Sequence, residues 1–289
     1  MICSICPRHC NTDRNRNTGF CQSPNEFRLA RASLHFWEEP CISGKNGSGA
    51  VFFSGCNLRC KFCQNYEISR ENKGVSVSDD KLIEIFEGLI KQGANNINLV
   101  NPSHYSYRLA ELLSKWKSPV PVVYNTSAYE EPAAIKNLKG LVDIYLPDLK
   151  YIRPDKAEKY SCAEDYFEKA SAVIKEMRKQ VADSFDEKGI MKSGLIIRHL
   201  ILPSNTNSSV EIIKWIKENV PNTYLSLMAQ YTPCGDLEDA PELNRKITER
   251  EYNKVCDFAI NNGIEKLFLQ ELSSADEKFI PAFDFSGIM

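Results

Sequence analysis

The sequence predicts an α/β fold in which strands and helices alternate. Short continuous apolar runs recur along the chain after residue 47, and amphipathic stretches with helical periodicity lie between them. Continuous apolar runs of this length are typical of parallel strands that are buried on both faces. Six or seven β/α units without a long break form either an open wound sheet or a barrel, and composition leaves both possibilities open.

Seven apolar runs are the predicted strands. They are GAVFFSG (49–55), NINLVNP (96–102), VPVVYN (120–125), VDIYLPD (142–148), LIIRHLILP (195–203), YLSLMAQY (224–231) and KLFLQEL (266–272). A polar cluster follows each of the first four: a cysteine-rich loop, then NPSHY, NTSAYE and PDLK. Open sheets and barrels both place chemistry at the carboxyl ends of their strands, so we expect these clusters to meet there.

Hydroxyl residues mark the starts of the predicted helices. Ser78 is the predicted N-cap of the amphipathic helix that begins SDDKLIEIF. Capping boxes predict three further helix starts, at Ser161–Glu164, Ser208–Glu211 and Thr248–Glu251.

Charge and hydropathy narrow the class of protein. The 289-residue chain has a formal net charge of −2 and no run of about 18 apolar residues. We therefore expect neither nucleic acid nor a membrane as a partner. The stretch MICSICPRHC lacks the apolar core of a signal peptide, so a cytoplasmic location is predicted, where thiols stay reduced. Cysteines in such a chain are then predicted to be metal ligands rather than disulfide partners, which here applies to the seven of the eleven that lie in two clusters.

Three cysteines lie close together in the loop after the first predicted strand. Cys56, Cys60 and Cys63 are separated by three and two residues. A disulfide would leave one thiol over, and structural zinc usually takes four ligands from separated cysteine pairs. Three thiolates on one short loop suit a metal cluster that keeps one metal ion unsaturated.

This loop, GCNLRCKFCQN with Phe62 directly before the third cysteine, resembles the radical S-adenosylmethionine (SAM) superfamily. The resemblance implies that three thiolates hold three irons of a [4Fe–4S] cluster and that the fourth iron binds SAM. It also implies reductive cleavage of SAM to a 5′-deoxyadenosyl radical, which abstracts hydrogen from a substrate.

Further segments resemble the subgroup of pyruvate formate-lyase activating enzymes. They are ARASLHFWEEP, GSGAVFFSGCNLRCKFCQNYEIS, YLPDLKY, RHLILP and LMAQYTP. The resemblance implies a partial (β/α)6 barrel that holds SAM at its mouth. The predicted parts are then an N-terminal Cys-rich metal-binding segment (1–46), the partial barrel (47–275) and a C-terminal tail (276–289).

The resemblance also implies which residues bind the cofactor, and Phe62 of the cysteine loop is one of them. Asp148 and Lys150 in PDLK match an Asp-x-Lys pair that reaches the methionine part of SAM and the active site, which makes them the catalytic candidates. Arg198 matches a SAM-contacting arginine on the fifth strand, and Asn125 and Ser127 lie where the third strand contacts the ribose.

Two features depart from the activating-enzyme pattern. NPSHY stands in place of the Gly-Gly-Glu stretch that binds the SAM amino group, so Ser103 or His104 is the predicted substitute, with a neutral imidazole at His104. Pro102 is expected to keep Asn101 extended. Residues 66–77 are too few for the ferredoxin-like insertion that activating enzymes often carry.

Four more cysteines, Cys3, Cys6, Cys10 and Cys21, open the chain. In reducing surroundings such a quartet predicts a closed metal site, and either zinc or a second [4Fe–4S] cluster satisfies it.

The predicted function is that of a radical SAM oxidoreductase, of which an activase for a glycyl-radical enzyme is one form, with flavodoxin or ferredoxin as electron donor. An alternative retains SAM chemistry but acts on a small molecule or a peptide. A second alternative is a non-catalytic iron–sulfur electron carrier, but a carrier has no need of so many β/α units.

Overall fold

A computed structural model describes residues 2–272 and 281–289 of the chain. Residues 273–280 fall outside this description, and with them the predicted boundary between barrel and tail near residue 275.

The strands of the described chain fall into a long central series and three antiparallel additions. They are β1 (Phe27–His35), β2 (Ser48–Phe53), β3 (Val75–Val77), β4 (Ile97–Val100), β5 (Val122–Thr126), β6 (Ile144–Pro147), β7 (Ser184–Phe185), β8 (Met191–Leu200), β9 (Tyr224–Met228) and β10 (Leu267–Leu269).

Helices connect these strands along the chain. They are α1 (Pro40–Ser43), α2 (Tyr66–Ser69), α3 (Asp79–Lys91), α4 (Ser106–Lys115), α5 (Pro132–Lys136), α6 (Pro154–Ser161), α7 (Tyr166–Gln180), α8 (Thr206–Asn219) and α9 (Glu249–Asn261). Short 3-10 turns lie at Ser103–Tyr105 and Pro241–Leu243. None of the helices in the described chain is both long enough and apolar enough to cross a membrane.

The strands form one sheet in the order β10-β9-β8-β6-β5-β4-β2-β1-β3, with β7 added beside β8. Neighbours from β2 to β10 run parallel, whereas β1 is antiparallel to β2 and β3 is antiparallel to β1. Helices cross between successive parallel strands, which confirms the predicted α/β fold and is consistent with a partial barrel.

All seven predicted strands are present, as β2, β4, β5, β6, β8, β9 and β10. Three other strands, β1, β3 and β7, escaped the prediction. Strand β1 lies before the predicted boundary at residue 46, yet it pairs with β2 from Leu29 to His35. At the other end of the chain, the backbone of Phe285 and Ser286 hydrogen-bonds to β1 at Ala30 and Ala32.

Two of the four predicted helix starts are confirmed. The Ser78 side chain accepts a hydrogen bond from the Lys81 amide, and Thr248 and Glu251 form a complete capping box. The other two are wrong because those serines lie inside helices. Ser161 is the last residue of α6, and α7 begins at Tyr166 after Asp165. Ser208 lies within α8, whose N-cap is Asn205.

The sheet separates two apolar layers. The larger layer packs helix side chains against one face of the sheet and includes Tyr124, Tyr145 and Leu195. The other layer contains Val123, Ile144, Leu146 and Ile196 from the opposite face, together with Cys41 and Ile42 of α1. Helix α1 therefore packs on the face opposite the larger layer, the interior face if the sheet curves into a partial barrel, because residues alternate between faces along each strand.

Candidate active site

The cysteine-rich loop leaves the carboxyl end of β2 through a glycine that no other residue could replace without strain. Gly55 has φ +86°, and a Cβ built on it would lie 1.9 Å from the Ser23 hydroxyl oxygen and 2.6 Å from the Cys21 carbonyl oxygen. Both facts call for glycine, since L side chains rarely adopt this φ and the space is filled. The loop is thereby pressed directly against the N-terminal segment.

The three loop thiols lie close enough to influence one another. Burial, followed by the neighbouring Cys60 and Cys56, raises the pKa of Cys63 to about 12. The Cys56 sulfur accepts hydrogen bonds from the Leu58 and Arg59 amides at 3.3 and 3.4 Å. The Asn101 side-chain amide also donates to Cys56 at 3.0 Å. Amide donors around a thiolate sulfur are among the groups that tune iron–sulfur clusters.

This donor set fits a cluster better than a single metal ion. Among residues 2–272 and 281–289, no group of three or more His, Cys, Asp or Glu side chains is arranged to hold a metal ion as it stands. A [4Fe–4S] cluster takes one thiolate per iron, so its ligands need not converge on a common point. The loop supplies three cysteine ligands, Cys56, Cys60 and Cys63. The side chains of Cys56 and Cys60 are buried.

The predicted residues of β5, β6 and β8 come together in one ion-pair network. Arg198 donates through Nε to Asp148 at 2.9 Å, through Nη1 to Glu38 at 3.1 Å and through Nη2 to Asn125 at 2.6 Å. Lys150 Nζ donates to the second oxygen of Asp148 at 2.7 Å. The sheet register explains the convergence, because Asp148 and Arg198 form a parallel bridge directly after β6.

Charge pairing keeps this network ionised despite its burial. Burial alone would raise the pKa of Asp148, but Arg198 and then Lys150 lower it below its usual value. Burial would lower the pKa of Lys150, yet Asp148, Cys60 and Cys63 raise it above its usual value. The Lys150 ammonium therefore lies within electrostatic reach of both the network and the cysteine loop.

Ser103 belongs to a second buried network, on the loop after β4. Its hydroxyl lies 2.9 Å from the Thr126 hydroxyl and 3.2 Å from the Glu130 carboxylate. Glu130 also accepts from Thr126 and from Tyr124. Burial raises the pKa of Glu130 even though these three hydroxyls oppose the shift. The predicted contact between Ser103 and SAM stays a prediction.

His104 is buried and lies on the side of the N-terminal segment. Its Nε2 lies 2.8 Å from the Ser54 carbonyl oxygen, and its Nδ1 is buried without a hydrogen-bond partner. Burial, followed by the positive charge of Arg14, lowers the pKa of His104 to about 3. The imidazole is therefore neutral at pH 7, as expected, whereas its predicted contact with SAM stays a prediction.

Asn101 does not have the extended backbone that the following proline was expected to impose. Its φ is +50°, in the left-handed region that asparagine tolerates better than most residues. This conformation accompanies the hydrogen bond from its side-chain amide to the Cys56 sulfur.

Two further predicted cofactor contacts have different surroundings. Phe62 packs its ring edge-on against Tyr151, Tyr160 and Tyr231, with centroids 6.5, 6.2 and 5.7 Å away. The Ser127 hydroxyl is buried and has no hydrogen-bond partner. Phe62 thus anchors the cysteine loop to the core, while the predicted contacts of Phe62 and Ser127 with the cofactor stay predictions.

The four N-terminal cysteines line one small cavity, together with Arg14 and His104. Cys3, Cys6 and Cys21 are buried, and Cys10 is partly exposed. The backbone amide of Phe20 donates a hydrogen bond to the Cys10 sulfur at 3.2 Å. Gly19 leaves room for Cys10, since a Cβ on Gly19 would lie 2.8 Å from that sulfur.

Sequence reasoning missed four residues of this region: Glu38, Glu39, Asn101 and Glu130. The adjacent acids of WEEP stood in a segment with little periodicity, although two acidic residues in an apolar context were a usable signal.

A family model described as the radical SAM superfamily matches residues 50–216, which is more than half of the chain. The matched range contains the cysteine loop, Asn125, Asp148 and Arg198. The chain belongs to the radical SAM superfamily. Membership implies a [4Fe–4S] cluster and SAM as cofactors. The narrower resemblance to pyruvate formate-lyase activating enzymes stays a prediction.

Comparisons with individual proteins give one sequence relative and a structural neighbour. The uncharacterized protein MJ0674 of Methanocaldococcus jannaschii is 27% identical over 276 residues, which cover 92% of this chain and 76% of that protein. Streptococcus suis SuiB bound to precursor peptide SuiA aligns with a TM-score of 0.51 at 11% identity, over 76% of this chain and 48% of SuiB. SuiB bound to S-adenosylmethionine aligns with a TM-score of 0.50 at 14% identity, over 76% of this chain and 49% of SuiB. The chain thus spans about half the length of SuiB, with which it shares the fold.

Proposed function

We propose that this radical SAM enzyme binds its [4Fe–4S] cluster through Cys56, Cys60 and Cys63 and abstracts hydrogen from a substrate. The observation that carries the proposal is the loop itself, whose three thiols lie together at the end of β2 beside Asn101 and within reach of the Lys150 charge. When bound, the cluster supplies the one electron that breaks a carbon–sulfur bond of SAM, giving methionine and a 5′-deoxyadenosyl radical that takes a hydrogen atom from the substrate.

The chain's own residues bind and orient SAM. In this proposal Arg198 and Lys150 attract the methionine carboxylate, while Asp148 holds both cations in place. The free Ser127 hydroxyl and the Asn125 amide contact the ribose. The aromatic packing around Phe62 keeps water away from the back of the cysteine loop.

The test of this function is the formation of 5′-deoxyadenosine from SAM by the reduced, cluster-loaded protein. Cys60→Ala should abolish it, whereas Cys256→Ala, a buried cysteine in α9, should leave it unchanged. Retention of the parent rate by Cys60→Ala would overturn the assignment.

The N-terminal quartet is part of the proposal as a second metal site. The four thiols line one cavity, but among the described residues neither they nor any other group of three or more His, Cys, Asp or Glu side chains is arranged to hold a single metal ion as it stands. Zinc would require the four sulfurs to move together, and a second [4Fe–4S] cluster is the other candidate. Metal analysis decides: replacing all four cysteines with serine lowers iron from about eight to four per chain if a cluster is held, and removes zinc alone if zinc is held.

The narrower hypothesis is that the substrate is a glycyl-radical enzyme and that flavodoxin or ferredoxin donates the electron in the cytoplasm. It rests on the resemblance of five sequence segments to the activating enzymes. A glycyl-radical signal in the electron paramagnetic resonance spectrum of such a partner would support it. Conversion of a small molecule or peptide without that signal would favour the alternative.

A further inference from the structure

One arginine of the N-terminal segment reaches directly to the cysteine loop. The Nε of Arg8 donates to the carbonyl oxygen of Asn57 at 2.9 Å, and Asn57 directly follows Cys56 in the sequence. The Nη2 of Arg8 donates to the Ser161 carbonyl oxygen at 2.9 Å, and its Nη1 donates to the Cys162 carbonyl oxygen. A single guanidinium group therefore joins the cysteine loop to the carboxyl end of α6.

The chemistry of this junction suits an arginine. The last carbonyl groups of a helix have no partner within the helix, and a cation at this end also interacts favourably with the helix dipole. The planar fork of a guanidinium group reaches several carbonyl oxygens at once, whereas an ammonium group is a single point of charge. The ring centroids of Phe20 and Tyr129 lie 3.9 and 5.0 Å from the central carbon of the Arg8 guanidinium. These rings hold the fork between the loop and the helix.

The segment that Arg8 contacts is also fixed from the side of the barrel. Asn57 is fully buried, and its side-chain amide donates to the Tyr129 carbonyl oxygen at 2.6 Å. The backbone amide of Lys61, further along the same loop, donates to the Tyr160 carbonyl oxygen of α6 at 2.9 Å. Arg8 thus adds the N-terminal segment to the set of hydrogen bonds that hold the cysteine loop against α6.

Arg8 also belongs to the N-terminal cysteine quartet. It stands between Cys6 and Cys10 in the sequence, and it lines the same small cavity as the four thiols. A metal centre bound by these cysteines fixes the backbone on both sides of Arg8. The state of the quartet is therefore transmitted to the cysteine loop through one side chain.

We propose that Arg8 is a positioning residue for the cluster on the cysteine loop, through which the N-terminal metal centre holds that loop in place. The proposal rests on the proposed function, because it assumes that both metal centres are occupied. A cluster bound by three thiolates has one protein ligand fewer than a closed cluster, so its retention depends more strongly on a rigid loop. Arg8 supplies this rigidity through the Asn57 backbone, directly beside the ligand Cys56.

The experiment is anaerobic removal of iron from the intact, cluster-loaded protein by a chelator. Electron paramagnetic resonance follows the part of the signal that changes when SAM is added, because a cluster closed by four thiolates has no open iron for SAM. We expect Arg8→Met, which keeps an apolar side chain but no donor, to lose this signal at least tenfold faster than the parent. In the control Arg16→Met, the side chain that is removed is 83% exposed and lies 3.8 Å from Asp13, so the rate should be that of the parent.

A second set of variants tests the route through the quartet. Replacement of the four N-terminal cysteines with serine should reproduce the faster loss, and adding Arg8→Met should accelerate it little further, because both changes break the same connection. Amide hydrogen exchange separates positioning from general stability. Arg8→Met should increase the exchange of residues 56–63 and leave that of α9 unchanged.

A parent rate of cluster loss in Arg8→Met would overturn the proposal, as would a parent rate in the quartet variant or faster exchange in α9 as well as in the loop. Equal acceleration by Arg16→Met would also overturn it. If Arg8→Met assembles no cluster, Arg8→Lys, which retains the charge without the fork, should assemble the cluster and lose it faster than the parent, and a parent rate there would contradict the proposal. The measurement needs no turnover, so a failure of SAM cleavage is recognised separately.

Discussion

Arg198→Met removes the cation at the centre of the interior network. The side chain is 13% exposed and donates to Asp148, Glu38 and Asn125. After the substitution Asp148 retains Lys150, but Glu38 keeps a buried negative charge that only amide groups contact. The loss therefore leaves Glu38 as an uncompensated charge.

Breaking a buried ion pair by removing one partner costs about 3–5 kcal/mol. We expect Arg198→Met to lower the free energy of unfolding by this amount. Arg153→Met, which removes an arginine 57% exposed with ion-pair contacts of 3.7–3.8 Å, should cost less than about 1 kcal/mol. Adding Glu38→Gln to Arg198→Met removes the orphaned charge, so the double variant should be more stable than Arg198→Met alone.

The assay is anaerobic urea unfolding followed by circular dichroism, with all variants at equal iron content. The four proteins of the Arg198→Met and Glu38→Gln cycle give the coupling energy between the two positions. A cost below about 1 kcal/mol for Arg198→Met, or additive effects in the double variant, would refute the reasoning about this network.

Three further predictions concern the loop, the cluster and pH. Gly55→Ala should prevent stable folding or cluster assembly, because its Cβ would lie 1.9 Å from the Ser23 hydroxyl oxygen and the backbone has φ +86°. In the control Gly88→Ala, in α3, the new Cβ meets nothing within 4 Å, so this variant should be neutral or slightly stabilising. Iron content and thermal melting compare the two variants. Asn101→Ala removes a hydrogen bond to the Cys56 sulfur, which should make the reduction potential of the cluster more negative by about 20–60 mV, equivalent to about 0.5–1.5 kcal/mol. A redox titration measures this shift, and an unchanged potential would contradict the role of the hydrogen bond. Burial lowers the pKa of His199 to about 4, so between about pH 6.5 and pH 4 the unfolded chain binds a proton that the folded chain does not. The free energy of unfolding should therefore fall by up to about 1.4 kcal/mol per pH unit as the pH decreases through this range. His199→Gln should lack this part of the pH dependence.

The parallel strands were predictable because continuous apolar runs of this length are typical of strands that are buried on both faces. Strand β1 was harder to recognise, since Arg28 and Arg31 interrupt its apolar pattern and its pairing with β2 is antiparallel. Strands β3 and β7 have three and two residues, too few for a periodic signal.

Helix starts were predictable only where the local signal agreed with the backbone. The box at Thr248 succeeded because that residue has the extended backbone of an N-cap. Ser161 carries the same sequence signal but ends α6, and the following Cys162 adopts the left-handed conformation that terminates a helix. The backbone conformation, which the sequence signal does not specify, thus distinguishes the two positions.

The parts of the site that were predictable are those whose residues lie close together in the sequence. Spacing alone brought together Cys56, Cys60 and Cys63, whereas the meeting of Asp148 with Arg198 depended on strand order as well as on the resemblance. Glu38 could not be placed from sequence, because its contacts with Asn98 and Asn125 join residues 60 and 87 positions apart.

The measurement that tests the central claim most directly is 5′-deoxyadenosine production by the anaerobically reconstituted, dithionite-reduced protein supplied with SAM. The account predicts methionine and 5′-deoxyadenosine in equal amounts from the parent and neither product from Cys56→Ala, Cys60→Ala or Cys63→Ala. Fully cluster-loaded parent protein that forms no 5′-deoxyadenosine, or any of these variants that forms it at the parent rate, would contradict the account.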